Sequence, residues 1–207
     1  MHFSVASGVH IFAGLRSFLG APVKTCFVLV LAAGTFALGP AAAAVTDIAS
    51  NGFTLSQTVV VSAPPDRVYA ALVDPARWWS SDHTFSGSAA NMSLDARAGG
   101  CFCEKLSGGG SVQHLTVLSA APGKSLRLAG MLGPFQAVAG NGVMSFTLAS
   151  DKDGTKLDMT YQVAGYANMK VGGNGYDNWS KAADGMLSEQ LQRLKRAVET
   201  GSPETKP

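Results

Sequence analysis

The feature that most constrains the fold is a series of short alternating segments that ends in one long amphipathic helix. From Leu157 to Val163 every second residue is apolar and the residues between them are polar. This period of two is typical of a strand in an antiparallel sheet with one buried face and one solvated face. Turns rich in glycine or aspartate at 107–111 and 151–154 separate neighbouring segments, as expected for β-hairpins.

Strand signals recur along most of the chain. The predicted strands are Phe53–Ser62, Asn91–Arg97, Cys101–Leu106, Val112–Ala120, Ser125–Gly130, Val143–Ala149 and Thr155–Ala164. Two short helices are predicted between strands 1 and 2. The first covers Arg67–Leu72 behind a Pro-Pro-Asp start, and the second runs from Pro75 to Trp79.

The last element is a long helix from about Asn178 to Thr200, with Asp177 as its cap. Its apolar residues recur at spacings of three and four, which places them on one face. They are Trp179, Ala183, Met186, Leu187, Leu191, Leu194 and Val198. Gly201 and Pro203 end the helix, and residues 201–207 are expected to form a flexible tail.

This order of elements predicts an α+β domain over residues 45–200. Its seven-stranded curved antiparallel sheet is wrapped on the long C-terminal helix, which is the helix-grip fold. The two short helices between strands 1 and 2 close one end of the sheet. No internal repeat is present.

Residues 1–44 are interpreted as a signal peptide and are left out of the domain. Two basic residues precede a short apolar run from Cys26 to Leu38, and Gly39-Pro40 and four alanines follow it. Cleavage after Ala44 fits the small-residue pattern of such leaders. The run is shorter than the roughly 20 residues of a membrane-spanning helix, so a stable membrane anchor, the alternative, is not expected. We expect export, to the periplasm in a Gram-negative source.

The charge balance of the remaining chain excludes one large class of function. The sequence has 16 Lys and Arg against 14 Asp and Glu, and two of the basic residues lie in the leader. From Val45 onwards, basic and acidic side chains are therefore equal in number, which leaves no basic face for neutralising phosphates. We predict no nucleic-acid partner.

Cys101 and Cys103 lie two positions apart on a predicted strand, so both side chains point to the same face. Three interpretations remain open: two small buried hydrophobic residues, a redox-active or strained disulfide, or part of a metal site. The domain has no second cysteine pair, which gives a structural zinc site little support. We predict no metal and no cofactor.

Three segments carry a resemblance to a known family. VVVSAPPDRVYAALVDPARWW at 59–79 resembles a "V.AP...V..AL.D...WW" start, GGCFCE at 99–104 resembles a "GG.F.E" strand, and QLQRL at 190–194 resembles a closing helix. On these motifs the chain resembles the SRPBCC superfamily of START-like and birch-pollen-allergen-like proteins. More narrowly, it is similar to the bacterial branch named after activators of a heat-shock-protein ATPase (AHSA-like) and to polyketide cyclase-like proteins.

The resemblance covers most of the domain, from Thr58 to Arg196. It implies a cavity between sheet and helix that holds an apolar or amphipathic ligand. Some relatives use this cavity for catalysis, and others use it for binding or for contact with a partner. No catalytic residue is shared across the superfamily, so none is carried over. The leader and the Cys-x-Cys pair depart from the cytosolic, chaperone-linked members.

The strongest candidate for chemistry is a carboxylate and an imidazole on two adjacent predicted strands. A three-residue loop at 108–110 would place Glu104 opposite His114, with opposed Cβ atoms about 4.5–5.5 Å apart. Burial and pairing there would perturb both pKa values, and the pair is a plausible general base. A two- or four-residue loop would instead place Cys103 opposite His114. The alternatives are a structural hydrogen bond between the two side chains, a pair on the solvated face of the sheet, ligand orientation and a metal site.

Seven further residues are predicted to contact a ligand. They are Trp78, Trp79, Phe102, Met159, Tyr161, Gly185 and His83. Of the adjacent tryptophans, one is expected to pack in the core and the other to line the cavity entrance. The Tyr161 hydroxyl needs a buried partner, Gly185 would leave room for a ligand against the helix, and His83 would cap the cavity mouth beside Asp82. Core packing, or solvent exposure for His83, is the alternative for each.

Three functions are compatible with these patterns. The first is an exported single-domain protein that binds a small apolar or amphipathic molecule between the sheet and the C-terminal helix. The second is an enzyme of cyclase, hydratase or hydrolase type that uses His114 with Glu104. The third is a protein-interaction module for an envelope partner. No oligomeric state is predicted.

Overall fold

The computed structural model describes residues 44–166 and 175–205 of the chain. Within these residues a single antiparallel sheet wraps one side of a long helix. Its strands are β1 (Ala44–Ala49), β2 (Gly52–Val61), β3 (Met92–Leu94), β4 (Cys101–Lys105), β5 (Ser111–Ala121), β6 (Ser125–Ala129), β7 (Gly140–Asp151) and β8 (Gly154–Gly165). Its helices are α1 (Pro65–Leu72) and α2 (Gly175–Thr200), and single 3-10 turns lie at 75–77, 81–83, 89–91, 107–109 and 133–137. The predicted leader, residues 1–44, lies almost wholly outside the described part.

The strands follow the order β1-β2-β8-β7-β6-β5-β4-β3 and all neighbours are antiparallel. Strands β3 to β8 form a meander in chain order, and β8 then pairs with β2. The sheet does not close, because β1 and β3 are its two edges. The predicted α+β helix-grip fold is therefore confirmed, and α1 and the turn at 75–77 are the two short helices between the first two predicted strands.

The predicted strand count of seven is wrong by one. No strand was predicted before Phe53, but β1 pairs with β2 from Ala44↔Ser56 to Ala49↔Gly52. This added strand has only weak sequence signals, since its residues are mostly exposed. It forms because β2 has a free edge whose backbone donors and acceptors it satisfies.

Alternation along the longest strands builds the inner, concave face of the sheet. Phe53, Leu55, Val59 and Val61 on β2 are buried, and the residues between them, apart from Gln57, are polar or exposed. Leu157, Met159, Tyr161 and Val163 on β8 repeat the pattern. This face packs against α2, whose buried stripe includes Ala183, Leu187, Leu191, Leu194 and Val198, as predicted. Each large buried side chain contributes about 1.5–3 kcal/mol of hydrophobic stabilisation.

Helix α2 begins at Gly175, before the predicted cap. Asp177 lies in the first turn, where a carboxylate is favoured by the helix dipole, and its Oδ2 accepts a hydrogen bond from Lys181 at 2.7 Å. The start of the tail contacts α2, because Arg193 binds Glu204 with an N–O distance of 2.6 Å. The flexibility of the tail stays a prediction. No helix in the described residues is long and apolar enough to cross a membrane.

Candidate functional site

Glu104 and His114 meet inside the protein. His114 Nε2 lies 3.1 Å from Glu104 Oε2, and the two side chains are 5% and 0% exposed. Glu104 is on β4 and His114 is on β5, as the sequence predicted. The predicted contact is thus present, on the inner side of the sheet.

The register that brings the pair together differs from the predicted one. Glu104 pairs with Val112, Cys103 with Gln113 and Phe102 with Leu115, so His114 is an extra residue in β5. Neither the direct opposition of Glu104 and His114 nor the alternative of Cys103 and His114 occurs. The loop is longer than assumed: a 3-10 turn at 107–109 with positive φ at Gly108 and Gly109 joins Lys105 to Ser111.

This β-bulge explains why the contact exists despite the wrong register. A bulge lets two successive residues of one strand face a single position of its partner, and it bends the strand. His114 and Leu115 are accordingly both buried, which breaks the alternation of β5. The extra residue therefore turns the imidazole towards the face that holds Glu104.

The Glu104 carboxylate also holds a loop. It accepts hydrogen bonds from the backbone N–H of Phe85 to Oε2, at 3.1 Å, and from the N–H of Ser86 to Oε1. Together with the bond from His114, these contacts engage both carboxylate oxygens of a side chain that has no exposed surface. Glu104 therefore fixes the segment at 85–86 over the inner side of the sheet and orients His114.

The two groups titrate in a way that leaves one negative charge on the pair at neutral pH. Burial acts to raise the pKa of Glu104, but hydrogen bonds from Ser86, Phe85 and His114 outweigh it, and the pKa is lowered. Burial lowers the pKa of His114 against the opposing effect of Glu104. A neutral imidazole that donates Nε2–H to Glu104 keeps Nδ1 as an acceptor, and the hydrogen bond that His114 forms with the described residues is the one at Nε2.

Aromatic rings surround the imidazole. Phe102 and Phe85 lie with ring centroids 5.3 Å and 6.0 Å from that of His114, and Phe85 is stacked on it at 20°. Trp79 contacts Phe102 edge-on at 5.5 Å. Phe85 is 55% exposed and so covers the site from the solvent side. His114 thus sits between an exposed aromatic ring and the apolar interior.

Trp78 and Trp79 are both buried, at 4% and 7% exposure, whereas only one of them was expected to face inwards. Trp78 Nε1 donates to the Ala71 carbonyl and Trp79 Nε1 donates to the His83 carbonyl, each at 2.9 Å. The 3-10 turn at 75–77 and the non-extended backbone of Trp78 let two successive rings point inwards. Both rings line the interior cavity described below.

Two polar residues of α2 that the sequence analysis did not single out position this tryptophan segment. Arg193 Nε donates to the Trp78 carbonyl at 2.9 Å, and Gln190 Oε1 accepts from the Ser80 N–H at 2.8 Å. Both side chains are at most 9% exposed. The signal that could have found them is a Gln and an Arg within the apolar stripe of the helix, in the motif already quoted for the resemblance.

The interior is nearly filled, which corrects the expectation of a hollow ligand cavity. The inner space beside the tryptophans measures about 30 Å³. Its lining is apolar and consists of Leu72, Pro75, Trp78, Trp79, Leu94, Phe102, Leu115, Leu126, Leu128, Met144 and Phe146. Small-molecule sites usually measure about 300–1,000 Å³. A ligand of that size therefore needs the wall of this space to move.

The remaining predicted ligand contacts lie elsewhere. Met159 and Tyr161 are fully buried in the sheet but do not line the 30 Å³ space. The Tyr161 hydroxyl donates to the Gly130 carbonyl at 3.2 Å and accepts from the Leu132 N–H at 3.3 Å, so its expected buried partner is present. Burial raises the pKa of Tyr161 to about 12.

Gly185 and His83 do not face the interior. Gly185 lies on the exposed face of α2, and a Cβ added there would meet no atom within 4 Å, so it makes no room for a ligand. His83 is on the surface, where its Nε2 lies 3.2 Å from Glu189 Oε2. Asp82 beside it is exposed as well. These positions correct the predicted roles at the helix and at the cavity mouth.

Cys101 and Cys103 form a disulfide across Phe102. Of the three open interpretations, this outcome selects the disulfide. No group of three His, Cys, Asp or Glu residues suited to a metal occurs in the described ranges.

A second depression of about 420 Å³ lies on the outer face of β2, β7 and β8, where Thr54, Asn141 and Gln162 contribute to its wall.

Comparisons with known proteins agree with this architecture. The family model described as polyketide cyclase / dehydrase and lipid transport matches residues 52–199. A comparison with curated proteins finds no significant match.

Solved structures show the same fold at low sequence identity. A conserved protein of unknown function from Enterococcus faecalis is 15% identical, with 80% of this chain and 82% of that chain covered and a TM-score of 0.53. CalU16 from Micromonospora echinospora is 18% identical, with coverage of 79% and 85% and a TM-score of 0.50. A putative uncharacterized protein from Rhizobium leguminosarum is 21% identical, with coverage of 70% and 93% and a TM-score of 0.51.

Proposed function

Because the chain belongs to the polyketide cyclase / dehydrase and lipid transport family, we propose that it binds a small apolar or amphipathic molecule between the sheet and the C-terminal helix. The observation that carries this proposal is the small apolar space lined by Trp79 and Phe102, since the Phe102 ring also contacts the buried His114. Large apolar surfaces with a few placed polar groups are the usual setting of a small-molecule site.

Binding requires the wall of the inner space to move, and we infer that the segment at 85–86, which covers the neighbouring His114 ring, moves as well. Its two N–H groups are held by Glu104, and Phe85 is more than half exposed, so few apolar contacts oppose its displacement. Lifting this segment uncovers the His114 ring and the edge of Phe102 behind it. The apolar part of the ligand then lies along the tryptophans, and a polar group of the ligand meets Nδ1 of His114.

A second candidate function is catalysis by the same pair, in a cyclase, hydratase or hydrolase type of reaction. A neutral imidazole with a free Nδ1 and a carboxylate on Nε2 has the arrangement of a general base with its orienting group. In this reading His114 accepts a proton from the bound molecule. Glu104 is a positioning residue, because its oxygens are engaged by the loop and by His114.

We also propose that the protein is exported, with residues 1–44 as the signal peptide. The support for this step is the leader pattern described above, together with the disulfide at Cys101–Cys103, since disulfides persist in oxidising compartments. Expression of the full chain in a bacterial host, followed by fractionation and mass measurement, tests it. A mature species that begins at Val45 outside the cytosol is expected, and an uncleaved cytosolic chain would contradict export.

Binding of the lipophilic dye N-phenyl-1-naphthylamine tests the first proposal. Leu94 lines the inner space and is partly exposed at its rim, so Leu94→Trp is expected to reduce dye affinity at least tenfold by blocking access. Leu118→Trp is the matched control, because Leu118 is 49% exposed on β5, and it should bind the dye as the unchanged protein does. Equal binding by all three proteins, or none by the unchanged protein, would contradict the site.

Native mass spectrometry of gently purified protein complements the dye. A co-purified small molecule that is released by denaturation supports a carrier function. Turnover of that molecule by the unchanged protein, lost in His114→Gln, would favour the enzymatic candidate. Turnover that persists in His114→Gln would exclude His114 as the base.

A further inference from the structure

The Cys101–Cys103 disulfide lies directly behind the Glu104–His114 pair, on the other side of the same strand. Phe102 and Glu104 point to the inner face of β4 and are buried, whereas the two cysteines between and beside them are half-buried on the outer face. Both cysteines are therefore partly accessible from the solvent side. They are separated from the pair only by the thickness of the strand.

The disulfide shortens β4 at the point where the register of the sheet changes. The Cα atoms of Cys101 and Cys103 are 5.3 Å apart. An extended strand advances about 3.3 Å per residue, or about 6.6 Å over two residues. The bulge in β5 falls between the partners of Phe102 and Cys103, so the contracted step of β4 faces the extra residue of β5, which is His114.

A bond over two residues contributes little to the stability of the whole fold. The loop that it closes is very short, and the stabilisation expected from chain entropy grows with loop length. Its effect is instead local, on the conformation of β4. The sheet neighbours β3 and β5, which hold β4 on both sides, remain after the bond is opened.

We propose that Cys101–Cys103 is a thiol–disulfide exchange site whose reduction by a dithiol loosens the contact of Glu104 with His114 and with the segment at 85–86. With the bond open, β4 can extend towards the usual strand length. The bulge then changes its pairing, and the carboxylate and the imidazole no longer keep their present separation. This site goes beyond the proposed function, since it holds whether or not a ligand occupies the interior.

The chemistry is ordinary thiol–disulfide exchange. A thiolate of the reductant attacks one cysteine sulfur, the Cys101–Cys103 bond breaks, and the other cysteine leaves as a thiolate that takes up a proton. The second thiol of the reductant then attacks the mixed disulfide and releases the first cysteine, which also takes up a proton. In total the cysteine pair gains two electrons and two protons, and the dithiol is oxidised to its own disulfide.

The test follows reduction by dithiothreitol in the full chain carrying Cys26→Ser, so that thiol titration reports only Cys101 and Cys103. We expect two thiols to appear while the far-UV circular dichroism stays unchanged. Amide hydrogen exchange at Phe85 and Ser86 should accelerate at least tenfold, because their acceptor is Glu104. The ring signals of His114 in NMR spectra should shift, and those of the surface residue His83 should not.

The double substitution C101A/C103A should show the same fast exchange without a reductant. If that variant fails to fold, the dithiol titration of the Cys26→Ser protein decides alone. A disulfide that resists dithiothreitol until the protein unfolds would overturn the proposal. Complete reduction without any change at Phe85, Ser86 and His114 would overturn it as well.

Discussion

Two buried polar sites lie on the inner side of the same sheet, and they differ in what satisfies them. At Tyr161 the hydroxyl has two backbone partners, Gly130 and Leu132, in neighbouring segments. At Glu104 and His114 the two side chains satisfy each other and hold a surface loop. The tyrosine leaves no hydrogen-bonding position for another molecule, whereas the imidazole keeps Nδ1. The imidazole, and not the tyrosine, is therefore the candidate for contact with a ligand.

Removal of the Glu104 carboxylate should destabilise the folded protein most. Glu104→Ala leaves the His114 N–H and two backbone N–H groups without an acceptor in a buried place, so we expect a loss of about 3–5 kcal/mol in unfolding free energy. Urea denaturation measures it. Glu189→Ala is the matched control, because its ion pair with His83 is exposed and contributes at most about 1 kcal/mol. Similar losses for both substitutions would contradict the role given to Glu104.

A smaller effect is expected at the other site. Tyr161→Phe removes a partner from the Gly130 carbonyl and the Leu132 N–H, which should lower the unfolding free energy by about 1–3 kcal/mol. Tyr69→Phe is its control, because the buried Tyr69 hydroxyl has no hydrogen-bond partner in the part of the chain that the structure describes. That substitution should be neutral or slightly stabilising. If Tyr69→Phe lowered the unfolding free energy as much as Tyr161→Phe, the difference in hydrogen bonding between the two hydroxyls would be contradicted.

Comparing the two sites also shows which of their features could be predicted from the sequence. The alternation around Met159 and Tyr161 predicted the sheet, its buried face and the need for a tyrosine partner, because the period of two follows directly from strand geometry. The Glu104–His114 contact was predicted through a register that does not occur. A bulge leaves no clear pattern in one sequence, since it is decided by how β4 and β5 fit together.

Other features escaped the sequence analysis for the same reason. Strand β1 depends on the free edge of β2, and the function of Gln190 depends on a backbone group far away in the chain, at Ser80. Gly185 was assigned to the interior because it interrupts a helix, but helical periodicity places it opposite the stripe formed by Ala183 and Leu187. Tertiary contacts of this kind are not local properties of a sequence.

The pH dependence of stability separates His114 from the tyrosine site. Its pKa is lowered in the folded protein, so below the ordinary value of about 6.5 the unfolded chain takes up a proton that the folded chain does not. Stability therefore falls as the pH is lowered from 7 to 5. In His114→Gln this dependence should be weaker when urea midpoints at the two pH values are compared. His83→Gln should retain it, and an unchanged dependence in His114→Gln would contradict the burial of a neutral imidazole.

The smallest effect is expected outside both sites. Gly185→Ala should raise the unfolding free energy by about 0.5–1 kcal/mol, because alanine is the better helix former and its Cβ meets open space. Gly142→Ala should be destabilising, since a Cβ there would lie 2.7 Å from the Gly130 oxygen and 2.7 Å from the Tyr161 ring. Thermal unfolding distinguishes the two. A destabilising effect of Gly185→Ala would contradict the exposed position of this glycine.

The most direct test of the ligand site is an NMR titration of ¹⁵N-labelled protein with N-phenyl-1-naphthylamine. We expect the amide signals of Phe85, Ser86 and Phe102 to shift with a common affinity, while those of Gly130 and Leu132 beside Tyr161 stay in place. Shifts confined to the outer depression around Thr54 and Gln162, or no shifts at saturating dye, would contradict a ligand site beside Glu104 and His114.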